Sequence, residues 1–110
     1  MGTTKTQVFT DKQNELANIL KVLGHPARLA ILEQIANQDE CICNDFVLKI
    51  DLAQATISQH LKELKKIEII QGTISGKKMS YCINQKKWNE VQTIINQFFK
   101  QDIKTKSCSN

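Results

Sequence analysis

Apolar positions recur at intervals of three and four along much of the chain, the spacing that puts side chains on one face of a helix. Over residues 11–23 they are Leu16, Ile19, Leu20 and Leu23, with Asp11 near the start and Gly24 just past the end, which predicts a first amphipathic helix. His25-Pro26 opens a second, because proline in a first turn gives up an N–H that would lack a partner there. Leu29, Leu32, Ile35 and Ala36 form its expected buried stripe, up to about Asn37. After the polar break Asn37-Gln38-Asp39-Glu40, the segment Cys41 to Asp45 leads into Phe46, Val47 and Ile50, which fit a short third helix ended by Asp51. Residues 54–67 predict a fourth helix, with Ile57, Leu61, Leu64 and Ile67 inward and Ala55, Gln59, Lys62 and Lys66 outward.

The period then changes. Ile69, Ile70 and Ile74 lead to Ser75-Gly76-Lys77, beyond which Met79, Tyr81 and Ile83 alternate with Ser80 and Cys82, as in a half-buried hairpin. A final helix from about Lys86 to Asp102 carries Trp88, Val91, Ile94, Ile95, Phe98 and Phe99. The order αααα-ββ-α is mainly α with a small β-hairpin, the layout of a winged helix-turn-helix. Residues 11–102 form that domain, between a flexible N-terminus (1–10) and a flexible tail (103–110).

Composition narrows the classes. With 110 residues, 41% hydrophobic and 5% aromatic, the chain supports one modest core and excludes a large multi-domain enzyme. No apolar run approaches the roughly 20 residues that span a bilayer, and residues 1–10 lack a signal peptide's apolar stretch, so a cytoplasmic protein without a membrane partner is expected. In that reducing setting the four cysteines, Cys41, Cys43, Cys82 and Cys108, read as thiols for metal or redox chemistry before disulfides. No Ser-His-Asp grouping, phosphate loop or carboxylate pair is visible, so no enzyme is expected.

Charge placement is more informative than its sum. The net charge is +4, but His60 to Lys87 alone holds seven lysines and two glutamates, a local +5. Such a run is either a solvated surface or a footprint for phosphates. The fourth helix favours the second: Gln54, Thr56, Ser58, Gln59 and His60 suit base edges and phosphates, while Lys62 and Lys66 neutralise backbone charge. Lys77 and Lys78, at a hairpin tip beside Gly76, add a second basic element on the same side. The first and last helices together hold more apolar surface than a small core hides. Leu16, Ile19, Leu20, Leu23, Val91, Ile94, Ile95, Phe98 and Phe99 are the expected homodimer interface, against the plainer reading that they pack within one chain. A two-fold dimer would set two recognition helices roughly 34 Å apart and predicts a double-stranded operator with an inverted repeat.

Cys41-Ile42-Cys43 is the sharper chemical signal. In a helix, residues two apart point about 200° away from each other, so both thiolates reach one ion only in a loop, a first turn or an unwound segment. Soft ions such as As(III), Sb(III), Cd(II), Pb(II) or Zn(II) suit thiolates; buried structural thiols are the alternative. Cys108 is a possible third ligand, Cys82 an incidental strand residue, and His25 a capping or corner histidine.

Taken together, LKVLGHPARLAIL (20–32), ECICND (40–45), ATISQHLKELKKIEII (55–70) and GTISGKKMSYCI (72–83) resemble the ArsR/SmtB family of dimeric winged-helix repressors, which release operator DNA on binding a metal or metalloid. The resemblance covers Leu16 to Phe99 and implies that Cys41 and Cys43 are ligands, with As(III) or Sb(III) favoured as inducer and no obligatory cofactor. It also shows departures. Phe46 stands where arsenic sensors often carry a third cysteine, residues 1–15 lack the extra cysteines of cadmium/lead sensors, and Gln85, Lys87, Phe98 and Gln101 replace a zinc-type site. Ala53 and Ala55 stand where the family usually begins its recognition helix with a serine cap and a proline, and Asp51 is the candidate substitute cap. Two rival readings stay open: a repressor using its thiols as a redox or reactive-sulfur switch, and a thiol-rich metal-buffering or interaction module.

Overall fold

The computed structural model describes residues 8–43, 49–73 and 80–105, with position 43 given by its backbone. Helices α1 (Asp11–Leu23) and α2 (Pro26–Ala36) precede a two-residue strand β1 (Ile42–Cys43). Helix α3 (Gln54–Lys66), strands β2 (Ile70–Thr73) and β3 (Ser80–Ile83) and helix α4 (Gln85–Phe99) complete the described elements. This is the expected winged helix-turn-helix, with one more strand than the sequence pattern predicts.

Polar residues start three of the helices. Thr10 Oγ1 accepts from the Gln13 backbone N–H at 3.0 Å while the Gln13 side chain accepts from the Thr10 N–H at 3.0 Å, a closed capping box. His25 Nδ1 accepts from the Ala27 N–H at 3.1 Å, and Asn84 Oδ1 from the Lys87 N–H at 3.2 Å. Helix α3 is the exception: no side chain caps it at Ala53, so Asp51 does not stand in for the missing serine.

Helix α2 turns a different arc inward from the one expected. Ile31, Leu32 and Ile35 are buried, whereas Leu29 and Ala36 are exposed. The reason is that α2 packs against both α3 and β3, which places Arg28, at the i, i+3, i+7 spacing with Ile31 and Ile35, where the sequence reading had Leu29.

The expected third helix falls partly on residues 44–48, outside the described residues, and its expected end at 49–51 is not helical. Just before it, Ile42–Cys43 is extended and joins an antiparallel sheet in the order β1-β3-β2. Ile42 faces Tyr81 and Cys43 faces Ser80, while Ile70 to Thr73 face Ile83 back to Ser80. At residue 49 the chain is held to α2: Gln34 accepts from the Lys49 N–H at 2.8 Å and donates to its carbonyl at 3.0 Å. Gly72 is required where it stands, since its φ is +120° and a Cβ there would lie 2.1 Å from the Ser80 carbonyl oxygen.

The core gathers Ile19, Ile31, Leu32, Ile35, Ile42, Ile57, Leu61, Leu64, Ile67, Ile69, Ile70, Tyr81 and Val91 between the helices and one face of the sheet. Helix α1 packs on α2, α3 and α4. Helix α4 contributes Val91 fully and Trp88, Ile94 and Ile95 partly, and it ends at Phe99 rather than Asp102. Among the described residues no helix is long and apolar enough to cross a membrane.

Candidate functional site

Helix α3 is amphipathic in the sense that a recognition helix needs. Ile57, Leu61 and Leu64 bind it to the core, and Gln54, Thr56, Gln59, Lys62 and Lys66 are exposed, with Ser58 half-buried. Lys66 Nζ lies 2.8 Å from Glu63 Oε2, and this bond is the main reason that the Glu63 carboxyl is held below its ordinary range, with Arg28 and Lys21 adding to it. Lys77 and Lys78, expected at the wing tip, lie outside the described residues.

His60 is not part of this surface. It is 8% exposed, and its Nδ1 accepts from Arg28 Nε at 3.1 Å while Arg28 Nη1 donates to the Val22 carbonyl at 3.0 Å. The His25 ring stands 4.5 Å from it, centroid to centroid. One arginine thus ties the end of α1 and the start of α2 to the middle of α3. The sequence did hold a signal for this: position 60 follows Ile57 by three and precedes Leu64 by four, so it lies on the inward arc. The expectation of DNA contact rested on residue type instead.

The thiol segment is a strand edge. Cys41 is exposed, Ile42 is 2% exposed and faces the equally buried Tyr81, and the backbone at 42–43 is extended. Cys82 is half-buried, with Gln71 Nε2 donating to its Sγ at 4.0 Å. Cys108 lies outside the described residues. Among the described residues no group of three or more His, Cys, Asp or Glu side chains is assembled to hold a metal. Helix α4 contains neither aspartate nor histidine, and the residues at the positions of a zinc-type site, Gln85, Lys87 and Phe98 on α4 and Gln101 just beyond it, supply no such ligand.

Of the residues expected at a dimer interface, Leu16, Ile19 and Val91 are buried in the chain's own core, and Leu23, Ile94 and Ile95 are partly buried against it. Leu20 (45% exposed), Phe98 (49%) and Phe99 (73%) remain outside. Leu20 and Phe98 line a groove of about 530 Å³ between α1 and α4, and the Phe98 and Phe99 rings meet edge to face at 5.2 Å.

Residues 25–71, from the corner histidine through α3 to the first wing strand, match the family described as bacterial regulatory protein, arsR family. Over 70 residues the chain is 37% identical to the arsenical resistance operon repressor of Staphylococcus xylosus, covering 64% of this chain and 66% of that one. Over 90 residues it is 33% identical to the cadmium resistance transcriptional regulatory protein CadC of Listeria innocua, covering 80% and 73% of the two chains. The structure superposes on an ArsR-like transcriptional regulator from Rhodococcus sp. RHA1 with a TM-score of 0.63 at 17% identity, over 82% of this chain and 84% of that one, a likeness of fold.

Proposed function

The chain belongs to the ArsR family of DNA-binding transcriptional regulators, which are not enzymes, and from that membership we propose a homodimeric repressor that leaves its operator when Cys41 and Cys43 bind a soft ion. Trivalent arsenic or antimony is the favoured inducer, ahead of cadmium, lead or zinc. The relatives named for arsenical and cadmium resistance support the class of ion.

The observation that carries the reading is the extended backbone at Ile42–Cys43. A helix would point the two thiolates about 200° apart; the backbone at Ile42–Cys43 is extended and not helical, so that obstacle does not apply here. The donor set, two thiolates on a strand edge with Cys41 exposed, fits a thiophilic ion and no hard one. The chain's own part in the switch is β1. Through Ile42–Tyr81 and Cys43–Ser80 the doublet is paired with wing strand β3, and the same segment leads toward α3. A backbone change at 41–43 therefore acts on both parts of the DNA-facing surface, Gln54, Thr56, Ser58, Gln59, Lys62 and Lys66 on α3 and the wing carrying Lys77 and Lys78.

Operator affinity of Cys41→Ser and Cys43→Ser, measured with and without arsenite, tests the reading. Ion-free binding should persist in both variants and arsenite should no longer release the DNA. Full arsenite response in both variants would refute it.

A further inference from the structure

Resting on that reading, we propose that Cys82, on the wing strand, is the third thiolate of the ion site. Register carries the proposal. Ile42 stands opposite Tyr81 and Cys43 opposite Ser80 in an antiparallel pair; carried one position past the start of β1, the same register sets Cys41, which immediately precedes the strand, opposite Cys82. Facing positions of such a pair have Cβ atoms about 4.5–5.5 Å apart.

Face follows from burial. Ile42 and Tyr81 are each 2% exposed and turn into the core, so continuing the pleat assigns their neighbours Cys41 and Cys82 to the outer side of the sheet. The exposure of the two described thiols agrees, Cys41 being exposed and Cys82 half-buried. Sulfurs bound to one ion at about 2.3 Å stand roughly 4 Å apart, a separation within reach of side-chain rotation from facing positions.

A three-thiolate site on these residues suits arsenite without any change of oxidation state. As(OH)₃ exchanges three hydroxyls for three sulfurs: three As–O and three S–H bonds break, three As–S bonds form, and three waters leave. Because Cys82 belongs to β3, the ligand set itself spans the doublet and the wing.

The test uses the reduced full chain and arsenite. Thiols are alkylated with and without one equivalent of arsenite, and the modified peptides are identified by mass. Cys41, Cys43 and Cys82 should be protected together in the unaltered protein, a measurement that needs no variant to fold. Cys82→Ser should weaken arsenite binding by at least about tenfold, the scale on which even outer-shell partners act. Protection of Cys41 and Cys43 with Cys82 alkylated at its ion-free rate overturns this inference and leaves the proposed function standing, as does a loss of affinity in Cys108→Ser in place of Cys82→Ser. Absence of protection at every thiol overturns both.

Discussion

His60 shows how one buried side chain changes the chemistry of a helix that otherwise faces solvent. Burial, then the positive charges available to His25 and Arg28, pushes its pKa below the ordinary 6.5. Its Nδ1 can accept from Arg28 Nε only while unprotonated. The unfolded chain therefore takes up this proton first as pH falls: the contribution is whole above about pH 6.5 and is lost as pH drops through the lower folded value. Thermal unfolding between pH 7.5 and 5 should show a declining midpoint, and His60→Asn, which keeps an acceptor near the Nδ1 position but cannot titrate, should show a lower midpoint with a flatter decline. An equal slope in both proteins would remove His60 from the account. The residue was readable as inward-facing from its spacing, but its arginine partner was not, because nothing local links position 28 to position 60.

At the scale of elements, the helices were legible and the shortest strand was not. α1, α3 and α4 each repeat an apolar spacing over about two turns or more, and His25-Pro26 marks the start of α2 by chemistry that operates within a few residues. Ala53 illustrates the converse, a helix start with no side-chain acceptor for its first N–H groups. Replacing it with serine should raise the free energy of urea unfolding by about 1 kcal/mol, the usual worth of such a cap; no gain would mean that the first turn of α3 is satisfied in another way. β1 has only two residues, too few for an alternating pattern to register, and its hydrogen-bonding partner lies on β3, remote in the chain. The thiol doublet was thus visible as a spacing while its extended geometry was not.

For the molecule as a whole, the question raised by the first and last helices was how much apolar surface one chain can hide. The core takes Leu16, Ile19 and Val91, leaving Leu20, Phe98 and Phe99 uncovered beside the α1–α4 groove. If that remainder is the two-fold contact of the proposed repressor, Phe98→Glu places a charge where it must be desolvated on association. Sedimentation equilibrium should then shift toward monomer, and affinity for a two-half-site operator should fall together with the dimer. A variant that stays dimeric would move the interface elsewhere.

The sequence by itself determined the helix-forming segments, the cap at His25, the hairpin, the basic stretch and the two-residue cysteine spacing, because each arises from interactions among residues close along the chain. Only the tertiary structure decided that Ile42–Cys43 would be a strand paired with Tyr81 and Ser80, and that His60 would be buried against Arg28. Strand register and burial are set by which distant segments come into contact, and hydrophobic periodicity within a segment carries no record of its partner.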